Sequence, residues 1–173
     1  MLFKRFSYLF NEVQSMVVHP IKPVYNKESR ILILGSFPSV KSREENFFYA
    51  HAQNRFWRVL SAVFEVPVPQ TVNEKKELLL SSKTALWDVV YQCEIVGSSD
   101  SSIKQVVPCN LQEIFDCADI EKIFLNGKTA EKYYNKYQRH LSDKEAVCLP
   151  STSSANAMYT LERLIDEWKI IRL

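Results

Sequence analysis

The sequence predicts an α/β protein of three layers, in which helices cover both faces of a central four-stranded parallel sheet. Short apolar runs, several ending at glycine, asparagine or proline, alternate along the chain with amphipathic stretches, and this alternation is typical of parallel sheets. The length of 173 residues suits one domain, since domains usually span about 100–200 residues. We therefore expect an N-terminal extension or helix over residues 1–18 and a single domain over residues 19–173.

Continuous apolar runs predict the strands, because a strand buried on both faces needs no polar side. They lie at residues 30–34, 84–90, 121–125 and 146–149. Apolar residues at helical spacing predict helices at 53–64, 72–80, 111–117, 128–140 and 155–170. Asn110 is expected to cap the third helix by accepting from its first free amides. The predicted core includes Trp57 and Trp87 together with the stripe of the last helix, formed by Met158, Leu161, Leu164, Ile165 and Trp168.

Bulk composition limits the classes of function. The formal net charge is only +2, so a nucleic-acid partner would have to be held by a local patch. The four cysteines form no CxxC pair and the three histidines complete no zinc spacing; we expect no metal, and reduced thiols in a cytoplasmic protein. The apolar residues of 1–18 are interrupted by charges, which argues against a signal peptide and a membrane span.

Four loops follow the predicted strands, and ligands of open parallel sheets bind outside the carboxyl ends of the strands. These loops contain residues 35–39, Asp88, residues 126–127 and residues 150–153. Two of the three glycines in the chain lie in them, and glycine permits close approach of the backbone to a ligand. The sequence therefore predicts one binding site at this edge of the sheet.

The first loop contains aromatic and polar residues suited to holding a planar heterocycle. An aromatic cluster at 47–49 is followed by His51, Gln53 and Asn54 at the start of a helix, and flipped bases are held by stacking and by hydrogen bonds to their edges. Arg43, Arg55 and Arg58, with Lys41, are either phosphate contacts or scattered surface charge.

Five segments, in this order, carry a resemblance to a known family: ILILGSFPSVKS, YAHAQNRFW, LWDVVYQCEIVGSSDSSI, IFLNGKTA and LPSTSSANA. The chain resembles the uracil-DNA glycosylase superfamily, specifically its hypoxanthine (deoxyinosine) DNA glycosylase branch, over about residues 20–173. The resemblance implies a monofunctional enzyme that flips a deaminated base out of damaged DNA and hydrolyses its N-glycosidic bond, without a cofactor. It implies that Asn54 is catalytic, that Tyr49 stacks on the base, and that the loop 150–156 enters the duplex.

Two departures from uracil-directed relatives bear on the substrate. Phe37 stands where those relatives place an aspartate or asparagine, and Leu149 stands where they carry histidine or asparagine. No imidazole is therefore available to stabilise a departing uracil anion, which favours hypoxanthine leaving as a neutral purine. Uracil-directed excision and a catalytically silent DNA- or nucleotide-binding module remain the alternatives, whereas a hydrolase unrelated to DNA lacks a GxSxG elbow.

The expected site has one catalytic residue, Asn54, surrounded by two groups of binding residues. Those expected to bind the base are Gly35, Ser36, Phe37, Pro38, Tyr49, His51 and Asp88. Those expected to bind DNA are Ser39, Ser42, Ser151, Thr152 and Ser153. For three residues a structural role stays open: Asp88 as a capping or structural carboxylate, His51 as a loop histidine, and Asn126 as a helix cap. Asp100 and Ser101 are expected to support the pocket. We expect a monomer that binds damaged DNA and no membrane.

Overall fold

A computed structural model describes residues 16–172; residues 1–15, on which most of the predicted N-terminal extension falls, lie outside the described residues. The strands are β1 (Val17–Val18), β2 (Ile31–Gly35), β3 (Thr84–Asp88), β4 (Val90–Glu94), β5 (Lys104–Pro108), β6 (Lys122–Asn126) and β7 (Ala146–Leu149). The α-helices are α1 (Val40–Glu44), α2 (Phe56–Phe64), α3 (Val72–Ser81), α4 (Gln112–Cys117), α5 (Lys128–Tyr137) and α6 (Leu161–Trp168).

The central sheet confirms the predicted fold class. Its strand order is β3-β2-β6-β7, every pair is parallel, and helices flank it. All five residues of β2 are buried, as expected for an interior parallel strand covered on both faces. Pairing of β2 with β3 sets Gly35 opposite Asp88, so the last residues of these two strands meet at the carboxyl edge.

A second, antiparallel sheet of order β1-β4-β5 was not predicted. Most side chains of β5 are exposed or half-buried, and β4 buries only Val90 and Cys93. The pairing of β4 with β5 also contains register shifts. These strands therefore lack the continuous apolar run that identifies the strands of the parallel sheet.

The last predicted helix begins later than expected. Thr160 caps α6 by accepting from the amide of Arg163, so residues 150–159 form a loop and not the first turns of a helix. Met158 lies in that loop and is 81% exposed, so its prediction as core is wrong. Trp57, Trp87 and Trp168 are buried, as predicted.

Two other helix boundaries also differ from the prediction. Leu111, not Asn110, occupies the N-cap of α4, and it makes no side-chain capping bond. The predicted helix 53–64 begins at Phe56, whose amide donates to the side-chain oxygen of Asn54. Asn54 is therefore held just outside the helix, at the edge of the sheet.

Between residues 16 and 172, no helix is both long and apolar enough to cross a membrane.

Candidate active site at the carboxyl edge of the sheet

A pocket of about 350 Å³ opens at the carboxyl ends of the parallel strands, within the range typical of small-molecule sites. All thirteen residues predicted for the site line it. Five residues that the prediction did not name for the site also line the pocket: Phe48, Ile95, Ser98, Ser154 and Ala155. Asp100, which was expected to support the pocket, and Asn126, whose role was left open, line it as well. The loops that follow four separate strands thus converge on one cavity.

Gly35 allows two oxygen atoms to approach the backbone in the pocket. A β-carbon at this position would overlap Oδ1 of Asp88 and lie 2.8 Å from the hydroxyl of Tyr49. Any larger residue would displace one of these groups, so a glycine is required here by close approach and not by its backbone angles. Asp88 Oδ1 and the Tyr49 hydroxyl are consequently neighbours above the end of β2.

His19 holds the other oxygen of Asp88. Its Nε2 lies 2.8 Å from Asp88 Oδ2, and both residues are buried, at 5% and 3% exposure. The Nδ1 atom of His19 accepts from the amide of Ile21 at 3.1 Å, so the ring hydrogen is on Nε2 and is donated to the carboxylate. Sequence reasoning missed His19, because 69 residues separate it from Asp88 and no local spacing connects them.

The side-chain oxygen of Asn54 is fully engaged. It accepts from the amide of Phe56 at 2.9 Å and from the hydroxyl of Thr152 at 3.1 Å. A backbone amide can only donate, so this contact identifies the atom as the oxygen and leaves the NH₂ group of Asn54 without a partner among the described residues. Asn54 can therefore offer the pocket a hydrogen-bond donor.

Asn126 and Thr152 link Asn54 to Tyr49 through hydrogen bonds in which the donor and the acceptor of each can be assigned. The NH₂ group of Asn126 donates to Thr152 Oγ1 and to the Tyr49 hydroxyl, each at 3.0 Å. Because that hydroxyl accepts from Asn126, its own hydrogen is free to donate into the pocket. Asn126 is not the cap of α5, whose N-cap is Gly127. Its side chain bonds Tyr49 and Thr152 at the pocket, so the structure supports a role there and not helix capping.

Tyr49 is held firmly on one side. Its ring stacks on Phe56 with the centroids 3.9 Å apart, and burial raises the pKa of its hydroxyl far above the usual range. The group therefore stays protonated and remains a donor at any physiological pH. Its positive φ of 51° is uncommon for a residue with a side chain.

Two predicted DNA contacts have their hydroxyls engaged inside the protein. Thr152 is fully buried and bonded to Asn54 and Asn126. Ser42 is also buried, and its hydroxyl accepts from the amide of Ala50 and contacts Ser39. Burial leaves neither hydroxyl free to reach a phosphate, so both act as supports of the pocket in this structure. Direct DNA contact by Ser39, Ser151 and Ser153 stays a prediction.

The remaining expectations concern the rim of the pocket. The hydroxyl of Ser36 donates to the carboxylate of Asp100 at 2.9 Å and 3.0 Å, while burial raises the pKa of that carboxyl. His51 is exposed, and its Nδ1 accepts from the amide of Gln53 within the loop. Ser101 bonds to Ser99 and does not line the pocket.

Arg55 holds the loop of residues 150–159 and is not a free phosphate contact. Its guanidinium donates to four carbonyl oxygens, those of Thr152, Ser153, Asn156 and Tyr159. Its backbone amide donates to the carbonyl of Thr152 as well. Arg43 is similarly engaged, since it donates to the carbonyls of Pro38 and Gly97.

Replacing Arg55 with alanine is expected to lower the free energy of unfolding by about 2–4 kcal/mol, because several charge-assisted hydrogen bonds are lost together. For a protein of this size the melting temperature should fall by roughly 4–16 °C. Affinity for DNA should fall too, because the loop loses its fixed conformation. Thermal melting and duplex binding measure both effects. Arg58→Ala, one turn along at an exposed position of α2, is the matched control; equal effects of the two changes would contradict the assignment.

Comparisons with known proteins agree with this geometry. A model of the uracil DNA glycosylase superfamily matches residues 22–172. A protein of Methanosarcina barkeri named hypoxanthine DNA glycosylase is 32% identical over 114 residues, covering 64% of this chain and 72% of its own length. A protein of the same name from Methanosarcina acetivorans is 29% identical over 164 residues, covering 90% of this chain and 98% of its own.

Solved structures point the same way. The solution NMR structure of a candidate uracil DNA glycosylase from Methanosarcina acetivorans superimposes with a TM-score of 0.77 at 26% identity, covering 91% of this chain and 96% of that one. The family match over residues 22–172 includes every strand of the parallel sheet. The chain therefore belongs to the uracil DNA glycosylase superfamily and is a DNA glycosylase, a hydrolase that acts on DNA.

Proposed function

We propose that this glycosylase preferentially removes hypoxanthine from deoxyinosine in DNA and so begins base excision repair. The observation that carries the proposal is a hydrogen-bond acceptor and a donor placed side by side above Gly35. The acceptor is Oδ1 of Asp88 and the donor is the hydroxyl of Tyr49. Two relatives are named hypoxanthine DNA glycosylase, which supports the same substrate.

The donor–acceptor pair matches the edge of a deaminated purine. Hypoxanthine carries an acceptor, O6, next to a donor, N1–H, whereas adenine carries an amino donor next to an unprotonated N1 acceptor. Asp88 Oδ1 would accept from N1–H and the Tyr49 hydroxyl would donate to O6. This contact replaces the stacking on the base that the resemblance implied for Tyr49, because one ring cannot both stack on a base and reach the edge of the same base with its hydroxyl. Adenine would place its amino donor against the donating hydroxyl of Tyr49 and its N1 acceptor against Oδ1 of Asp88. A site built for one hydrogen-bond pattern strongly rejects the other.

Asn54 is proposed to act on the leaving base. Its oxygen already accepts two hydrogen bonds, so only its NH₂ group faces a substrate. A donor cannot take a proton from water, but its hydrogen bond to an imidazole nitrogen of the purine can draw off the electron density that the base gains as the glycosidic bond breaks. By analogy with O-glycosides, the transition state resembles an oxocarbenium ion. The water that adds to this cation gives up one proton, which balances a proton taken up by the departing base.

Uracil is the second candidate, because its O4 and N3–H repeat the acceptor–donor pattern of hypoxanthine. The choice of hypoxanthine depends on the leaving group. Phe37 and Leu149 cannot stabilise a departing anion, and a purine can leave in neutral form after its imidazole ring accepts a hydrogen bond or a proton. Hypoxanthine therefore makes the smaller demand on this site.

End-labelled duplexes carrying one inosine, uracil, xanthine or adenine test the proposal. They are incubated with the enzyme in EDTA and then treated with alkali, which cleaves abasic sites. We expect cleavage at inosine to predominate and none at adenine. Predominant cleavage at uracil would retain the reaction and overturn the substrate. Binding to the inosine duplex without cleavage would contradict the proposed activity.

A further inference from the structure

We propose that His19 is a positioning residue for base recognition, which orients the carboxylate of Asp88 toward the target base. The inference rests on the proposed function in one respect, namely that Asp88 accepts from the N–H of the target base. His19 lies outside the family match, which begins at residue 22. It reaches Asp88 from the segment that follows β1.

The backbone determines which atom donates in the hydrogen bond between His19 and Asp88. The amide of Ile21 donates to Nδ1, and a neutral imidazole whose Nδ1 accepts carries its hydrogen on Nε2. That hydrogen is therefore donated to Oδ2 of Asp88 over 2.8 Å. This bond fixes Oδ2 and leaves Oδ1 beside Gly35.

A backbone hydrogen bond and aromatic packing fix the orientation of His19. Its own amide donates to the carbonyl of Tyr91 at 2.7 Å, next to the β1–β4 pairing. Around the ring lie Phe37, Phe48 and Trp87, with centroids 5.9, 6.1 and 6.5 Å away. The ring cannot turn without disturbing this packing, so Oδ2 stays bound and Oδ1 stays directed at the base site beside Gly35.

No other side chain of the described residues forms a hydrogen bond with Asp88. The titratable groups that face it are Tyr49 from the loop after β2, Asp100 from the β4–β5 connection, and Cys109 after β5. Tyr49 and Cys109 are neutral, since burial raises the pKa of both. Asp100 is bonded to the hydroxyl of Ser36. Among the described side chains, His19 is therefore the one that fixes Asp88.

Two substitutions separate this role from simple packing. His19→Phe retains a ring of similar shape without the donor, whereas His19→Gln retains a donor that can reach Asp88. The readouts are the single-turnover rates of excision of inosine and of deoxynebularine, whose N1 carries no hydrogen. In His19→Phe we expect inosine excision to fall about tenfold, because the carboxylate of Asp88 loses the hydrogen bond that orients it. Excision of deoxynebularine should fall less, and His19→Gln should stay within about threefold of the parent on both substrates.

The outcomes distinguish the inference from the proposed function. Equal losses in both variants, or equal losses on inosine and deoxynebularine, would show a packing role and overturn the inference. If the parent enzyme cleaves only uracil duplexes, the proposed substrate fails, and the same comparison of the two variants is made with uracil, whose N3–H presents the same donor. A further readout needs no variant: ¹⁵N-histidine NMR of the parent should show His19 as the Nε2–H tautomer at pH 7. An Nδ1–H tautomer would overturn the inference.

Discussion

Replacing Asn54 with aspartate is expected to lower the single-turnover rate of inosine excision about 10²–10³-fold, nearly as much as replacement with alanine. Aspartate retains the oxygen that accepts from the Phe56 amide and the Thr152 hydroxyl. It replaces the NH₂ group with a second oxygen, so the donor to the leaving base is lost while the local structure is kept. Rates measured with excess enzyme on an inosine duplex test this.

The pair of Asn54 variants separates two roles for this residue. If Asn54 oriented the attacking water through an acceptor, the aspartate variant would match or exceed the parent, and the proposed donor role would be contradicted. The alanine variant also removes the contacts to Phe56 and Thr152, which should cost about 1 kcal/mol of stability. Melting temperatures therefore show whether a loss of rate comes from the chemistry or from unfolding.

Replacing Asp88 with asparagine is expected to lower inosine excision by about 10²–10³-fold, because a charge-assisted hydrogen bond is lost and a buried donor is left unpaired. The Nε2–H of His19 can only donate, so it selects the amide oxygen of the new side chain. The NH₂ group must then face the base, where it opposes the N1–H of hypoxanthine.

A substrate without that hydrogen provides the control for the Asp88 variant. Deoxynebularine carries an unprotonated N1, which can accept from the NH₂ group of the asparagine. The ratio of inosine to nebularine excision should therefore fall in the variant, whereas a general loss of folding would lower both rates equally. An Asp88→Asn enzyme that keeps its inosine rate within threefold would contradict the base-reading role.

The parallel sheet and the location of the pocket were predictable because their signals are local. The apolar runs that became β2 and β6 need no knowledge of distant residues, and the carboxyl edge of such a sheet is where its ligands bind. Asp88 was placed in the site on that basis, whereas the catalytic role of Asn54 was implied by the resemblance to the family. The loop after β2 added the aromatic cluster that contains Tyr49.

Roles that depend on distant partners could not be predicted. Arg55 seemed available to phosphate until the structure placed its guanidinium on carbonyls about one hundred residues further along the chain. Thr152 is similarly directed inward, to Asn54 and Asn126. The antiparallel sheet that carries His19 to Asp88 has mostly exposed outer strands, so periodicity did not identify it. These contacts arise from tertiary packing and leave no trace in sequence spacing.

Asn54, the proposed catalytic residue, and Arg55, which holds the loop of residues 150–159, are neighbours in the chain. Thr152 of that loop also bonds the oxygen of Asn54. A displacement of the loop is therefore transmitted to Asn54 through both a guanidinium and a hydroxyl. If the loop contacts DNA as predicted, the position of the Asn54 amide depends on how the duplex meets the loop.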